Sequence, residues 1–342
     1  MNMNKRNYWF GLAVSILFMY LFFRKIDLQE VWGSFRSVNY LYTLPIMLVN
    51  IFCIWLRAVR WRTLLRPVKK VGLPELFQAT AIGFMANNLF PARIGELVRA
   101  FLLAGKEKIS KSASLATVVV ERLFDGFAIL LLFLVVILFM PFPEHGAQVL
   151  TPQRIRTVGW LSLLFYSLVL VVLVLLRFHN QRLNRIIGFF LKPLPARIAR
   201  RIQELIQSFV SGLEILQQKK DLLVVMMYSL VLWIILGLSV YMLFAAFNFQ
   251  LTLLEAFFLE VVLVFGVSIP SAPGFIGTFH WACAAGLIFL GIEPNQAKTF
   301  SILYWLCYFL PITLLGLVVL WKEGLTLRFI QGDEQRSECH PK

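Results

Sequence analysis

The stretch Asn87-Asn88-Leu89-Phe90-Pro91-Ala92-Arg93-Ile94-Gly95-Glu96-Leu97-Val98-Arg99 lies between two apolar segments, each too short to be an ordinary membrane span. It gathers two amides, a proline, a glycine, two arginines and a carboxylate. Charge and helix-breaking residues inside apolar sequence are costly in lipid, so such a stretch is by default a candidate functional site.

The sequence around it is that of a membrane protein. The chain has 342 residues, 59% of them hydrophobic and 15% charged, with a mean hydropathy of +0.76. Soluble domains carry about 25% charged residues. Several apolar runs approach the roughly 20 residues that cross a bilayer as a helix. The expected fold is an all-α polytopic protein of the cell membrane, without room for a sizeable soluble domain. The net charge of +15 comes from basic residues in the loops. There it sets topology and attracts anionic headgroups, and no nucleic-acid partner is expected. Cys53, Cys283, Cys307 and Cys339 form no Cys-x-x-Cys pair, and His145, His179, His280 and His340 lack metal-ligand spacing. No disulfide framework, metal or cofactor is expected. Absence of a GxxxxGK[ST] loop argues against ATP drive by this chain.

Taken in order, residues 8–23 follow Lys5-Arg6 and end at Arg24-Lys25 without a small-residue cleavage site, which reads as a retained first span. A second span at 40–57 runs into Arg57, Arg60, Arg62, Arg66, Lys69 and Lys70. The positive-inside rule places that run, and so the N-terminus, in the cytoplasm. Segment 74–104 then returns to Lys106, Lys108 and Lys111, so both its ends lie on one side. Its arms of about 14–17 residues reach roughly 20–25 Å, against a hydrocarbon core of about 30 Å. A re-entrant hairpin with its tip at Asn87–Pro91 is expected. Such backbone is tolerated at depth only inside protein or along a wet cavity.

Residues 113–141 lead outward as a full span and 158–177 return. Segment 178–220 is a basic, amphipathic cytoplasmic stretch. Residues 222–247 lead out again. Segment 254–291 repeats the earlier pattern around a break from Ile269 to His280, now entering from outside, and 299–322 return to a cytoplasmic tail, 323–342. The sum is about six full spans plus two re-entrant hairpins. Regions 1–141 and 158–322 form an inverted-topology repeat broken at corresponding positions, a transporter pattern.

The chemistry concentrates at the breaks. Pro91 suits the first turn of a helix and Asn87 or Asn88 suits its cap. A helix starting at depth points free N–H groups inward, which favours an anion. Arg93 and Arg99 add donors matched to phosphate, and Glu96, three residues from each, pairs with either or serves only to fix the hairpin. Glu121, Arg122 and Asp125 form a second charged cluster in the next span, expected to be neutralised by Arg93 or Arg99. In the second break, Gly274 and Gly277 allow close approach. His280 is a phosphate ligand or proton carrier, against the commoner reading of a satisfied helix histidine. Arg57, Arg60 and Arg62, with Trp55 and Trp61, read as an interfacial belt in which one or two arginines receive a lipid headgroup.

These motifs resemble the signature of the lysylphosphatidylglycerol synthase transmembrane-region family, also called flippase-like. The resemblance is carried by Asn87–Arg99, by Glu121-Arg122-Leu123-Phe124-Asp125, by Pro273-Gly274-Phe275-Ile276-Gly277 and by Arg60-Trp61-Arg62. It implies a membrane domain that translocates lipids, as in the N-terminal part of aminoacyl-phosphatidylglycerol synthases, without their large soluble aminoacyl-transferase domain. The family is also similar to membrane domains of polyprenyl-phosphate sugar pathways. The leading expectation is a flippase, not an enzyme, for an anionic phospholipid or a polyprenyl-phosphate-type lipid. The alternatives are a membrane-embedded transferase using Glu96 or Asp125 as base, or an accessory subunit of a separate lipid-modifying enzyme. A homo-oligomer is compatible with each.

Overall fold

The computed structural model describes residues 28–90, 93–140, 219–269 and 271–325, with isolated positions at 20 and between 153 and 171. The expected spans 8–23 and 158–177, the amphipathic segment 178–220 and the tail 323–342 fall wholly or mostly outside the described residues.

Within the described residues the chain is helical. Helix α1 (Leu28–Ser37) leads through a 3-10 turn at Tyr40–Tyr42 into α2 (Thr43–Leu65). Helices α3 (Leu73–Leu89), α4 (Gly95–Glu107) and α5 (Lys111–Phe139) follow. The second half comprises α6 (Lys219–Ala246), α7 (Leu253–Ser268), a 3-10 turn at Pro273–Phe275, α8 (Thr278–Phe289) and α9 (Pro294–Lys322).

Helices α2, α5, α6 and α9 are long and apolar enough to cross a membrane. Each turns an apolar stripe outward: Leu44, Leu48 and Phe52 on α2, Leu131, Leu134 and Leu138 on α5, Met227, Val231 and Ile234 on α6, and Leu306, Leu310 and Leu314 on α9. Spacings of three and four residues put each set on one helix face. In water such faces would turn inward, whereas lipid solvates them.

Helix α2 continues to Leu65 rather than ending near 57. Its first arginines are neutralised by carboxylates of α5, so the helix need not leave the apolar region when its sequence becomes charged.

Helices α3 and α4 are antiparallel. At the closed end the Gly95 N–H donates to Asn87 Oδ1 at 2.8 Å, and at the open end Lys106 Nζ donates to Gln78 Oε1 at 3.2 Å. Small residues let the two backbones touch: a Cβ on Gly83 would lie 2.8 Å from the Gly95 carbonyl oxygen. Helices α7 and α8 form a second antiparallel pair, with Gly266 against Ala282 and Gly286 against Leu259. Thr252 and Glu255 cap α7 reciprocally. Gly274 (φ 70°) and Gly277 (φ 94°) turn the chain between the two helices in left-handed backbone that other residues adopt with difficulty.

The two pairs attach at different ends of the bundle. Arg66–Asp221 (3.0 Å), Lys69–Glu107 (2.8 Å) and Lys106–Glu323 tie together the C-terminal ends of α2, α4 and α9 and the start of α6. The α3–α4 pair opens at that end. At the other end the Asn39 N–H donates to the Ala246 carbonyl at 2.9 Å and Asn295 donates to Glu30. The α7–α8 pair connects there, between the end of α6 and the start of α9.

Helix α9 is the common support, packed on α3, α8 and α2. Pro311 inside it has no N–H to give the Cys307 carbonyl four residues earlier. Asn50 of α2 supplies the donor, with Nδ2 3.3 Å from that oxygen. Asn88 of α3 likewise bonds Thr313 Oγ1 (2.9 Å) and the Phe309 carbonyl (3.3 Å).

Candidate functional site

The site starts from two facing helices. Arg57 and Arg60 of α2 share a face, as do Glu121 and Asp125 of α5. Arg60 is 0% exposed; it donates to Glu121 Oε1 at 2.7 Å, to Ser229 Oγ of α6 at 2.6 Å, and to Asp125. Arg57 reaches Asp125 Oδ2 at 3.4 Å. Arg122 pairs with Glu121 (2.7 Å), Asp125 (3.1 Å) and Glu96 (3.6 Å). Arg99 of α4, 1% exposed, lies 3.1 Å from Glu121 Oε2 with its guanidinium 4.9 Å from the centre of the Trp61 ring. Burying these charges is tolerable only because they pair; removing one partner would leave an uncompensated charge.

Two expectations change here. Arg57 and Arg60 are not an interfacial belt but buried members of the network, and Arg62 is the one of the three that is exposed. Glu96 pairs with Arg122 rather than with Arg93 or Arg99. The three-residue spacing from Arg93 is not helical, because Arg93 precedes α4 with a left-handed φ of 52°. Arg99 is committed to Glu121. The expected partnership of Arg99 with the α5 carboxylates is observed, whereas Arg93 joins another group.

Arg93 links the two breaks. Its Nη2 donates to the Val267 carbonyl of α7 at 2.8 Å, and its guanidinium lies 5.3 Å from the centre of the Phe275 ring. Asn87 caps α4, and Asn88 is used on α9. Helix α4 begins at Gly95, later than Pro91 suggests, and α8 begins at Thr278; Pro91, Ala92 and Pro270 lie outside the described residues. The Gly274 carbonyl accepts from Trp305 Nε1 at 2.7 Å, and His280 meets Trp305 edge-on at 5.6 Å.

Between these elements is a cavity of about 360 Å³. Asn87, Arg93, Glu96, Arg57, Arg122 and Asp125 line it. Exposed Arg93 and Ser268 mark its mouth, and buried Asp125, Glu260 and Tyr304 its interior. Arg60, Arg99 and Glu121 stand behind the wall, and Gly274, Gly277, Asn88 and His280 are outside the lining. Trp233 also lines it, and its Nε1 is buried with no hydrogen-bond partner among the described residues.

Glu260 is a member of the site that the sequence reading passed over. It is 5% exposed and accepts a 2.7 Å hydrogen bond from the Tyr304 hydroxyl. The signal was there: after the capping Glu255, it is the lone ionisable residue in the apolar remainder of α7. Lining and backing groups together comprise five arginines and four carboxylates, an excess of one positive charge when all are ionised.

Fold and site together define an α-helical integral membrane protein with a charged cavity between two helical pairs. The chain belongs to the lysylphosphatidylglycerol synthase TM region family, whose model matches residues 8–316. It is 25% identical over 301 residues to a UPF0104 membrane protein of Methanothermobacter thermautotrophicus, covering 85% of this chain and 88% of that protein. A UPF0104 membrane protein of Methanocaldococcus jannaschii is 25% identical over 69% of this chain and 92% of its own length. A shorter match, 30% identical, joins 34% of this chain to 19% of the glycosyltransferase AglD of Haloferax volcanii. No solved structure matches the chain.

Proposed function

We propose that this protein translocates a lipid with an anionic, phosphate-bearing headgroup, taking the headgroup into the cavity while the acyl or prenyl tails stay in the bilayer. The observation that carries this reading is the meeting of Arg57, Arg93 and Arg122 at a space of about 360 Å³, where, with Arg60, Arg99 and Glu121 behind the wall, five arginines face four carboxylates. That volume lies within the roughly 300–1,000 Å³ of small-ligand pockets. The cationic excess suits one phosphate, and the buried Trp233 N–H, without a partner among the described residues, adds a donor.

In this reading α3–α4 and α7–α8 are re-entrant hairpins entering from opposite faces, and the protein is an inverted repeat. Their lengths support it. These helices have 17, 13, 16 and 12 residues. That makes them about 18–26 Å long, short of the hydrocarbon core of about 30 Å. The basic end of the bundle, with Arg66, Lys69 and Lys106, faces the cytoplasm of a cell membrane.

The transferase alternative has the partial likeness to AglD in its favour. Against it, the carboxylates it needs as base are occupied: Asp125 by three arginines and Glu96 by Arg122. The deciding experiment is reconstitution into vesicles with a fluorescent phosphatidylglycerol, comparing the protein with Arg93→Ala. Translocation by the wild type, lost in the variant at equal incorporation, supports the reading. No translocation of any anionic lipid, or equal rates in both, overturns it.

A further inference from the structure

Three of the four carboxylates in this site have arginine nitrogens within 4 Å: Glu121, Asp125 and Glu96. Glu260 has none among the described residues, and its hydrogen-bond donor is the Tyr304 hydroxyl. It nevertheless lines the cavity, reached through the same mouth as Arg93. An ionised carboxylate buried without a cation is expensive, and the inexpensive remedy is a proton. Paired carboxylates lack that option, because protonation would strand their arginines.

We propose that Glu260 is a proton-binding site, and that its proton occupancy sets the affinity of the cavity for the anionic headgroup. The proposal rests on the translocator reading for its second half only. Arg57 lines the same cavity as Glu260 and is the cation whose charge bears on it. Its other titratable neighbours are Tyr304 and Tyr308 of α9, Cys283 of α8 and Cys53 of α2, with Asp125 of α5 on the same wall. Asp125 is held by its arginines, and the thiols and phenols are neutral near neutral pH. Glu260 is thus the group in this set free to change charge.

The coupling has a definite sign. An ionised Glu260 competes with an incoming phosphate for Arg57. A proton taken up from solution removes that competitor and raises the positive excess of the site from one charge to two. Proton and anionic headgroup therefore favour each other's binding, and by linkage the effect is reciprocal. Tyr304 donates to the ionised carboxylate and accepts from, or releases, the protonated one, so it can follow both states in place.

Two measurements on the full chain in lipid nanodiscs test this. The first is an infrared pH titration of the carboxylic-acid carbonyl band, in wild type, Glu260→Gln and Tyr304→Phe. A band that vanishes on alkalinisation, is absent in Glu260→Gln and is displaced in Tyr304→Phe is expected. A wild-type titration indistinguishable from that of correctly folded Glu260→Gln overturns the proton site. The second is binding of brominated phosphatidylglycerol, read by tryptophan quenching, with brominated phosphatidylcholine as control. Wild-type affinity for the anionic lipid is expected to rise at least about fivefold from alkaline to acidic pH, the lower range of allosteric couplings. Glu260→Gln is expected to hold the acidic-pH affinity throughout. Wild-type pH dependence retained in Glu260→Gln refutes the coupling. A titrating Glu260 band without selective binding of the anionic lipid at any pH would instead count against the translocator reading and leave the proton site standing.

Discussion

Single side chains decide whether charge is tolerated in the interior of this protein. Arg60 serves two carboxylates at once and is fully buried, so its loss would take one cation from each of two buried carboxylates. Arg60→Ala is expected to destabilise by about 3–5 kcal/mol, the range for breaking a buried pair from one side; equilibrium unfolding in mixed micelles checks this. Asn50 has a different task, donating to a carbonyl that Pro311 leaves open. Asn50→Leu is expected to cost about 1–3 kcal/mol by orphaning that oxygen. Adding Pro311→Ala returns an N–H to the helix, so the double variant should recover part of the loss in a thermodynamic cycle. Strictly additive costs would refute the link. At this scale the sequence was informative about which residues matter and poor about their partners. Arg93, Glu96 and Asp125 stand out because charge is rare in apolar sequence, yet Glu260, equally rare in its helix, was overshadowed by the proline–glycine break that follows it.

Helices acquire their ends from side chains distant in sequence. Pro91 suggested a helix start, but the Asn87 carboxamide caps Gly95 across the turn, and α4 begins there. The tight crossing of α3 and α4 depends on Gly83 and Gly95, where added atoms would meet backbone oxygen. Gly95→Leu is expected to pry the pair apart and abolish protection of the α4 amides in hydrogen exchange. Gly105, in the same helix, has nothing within 4 Å of an added Cβ. Gly105→Ala should therefore stabilise slightly, by up to about 1 kcal/mol from helix propensity, and serves as the contrast. The helical pairs themselves were legible, because apolar runs of this length interrupted by proline, glycine and asparagine have few other solutions in lipid. Helix α2 is longer than its sequence suggests, since a run of arginines looks like an exit from the membrane until its carboxylate partners are known.

Across the whole molecule, one end gathers Arg66, Lys69, Lys106 and their acidic partners, while the flanks of the long helices are apolar. In the proposed topology, exposed Lys70 and Gln250 lie on opposite faces of the membrane. With Cys339→Ser as background and the other three cysteines buried, an impermeant thiol reagent added to intact cells should label Gln250→Cys and spare Lys70→Cys. Labelling of both, or the reverse, would refute the proposed orientation. Composition and hydropathy alone determined that this is a helical membrane protein with two interrupted segments and a set of charges inside apolar sequence, because the bilayer admits few ways to satisfy such a sequence. Tertiary structure alone decided that Arg60 sinks between Glu121 and Asp125, that Arg93 ties one break to the other, and that among the described residues Glu260 is left with a tyrosine rather than an arginine. Those pairings join residues tens to hundreds of positions apart, where local periodicity carries no information and the packing of helices sets which groups meet.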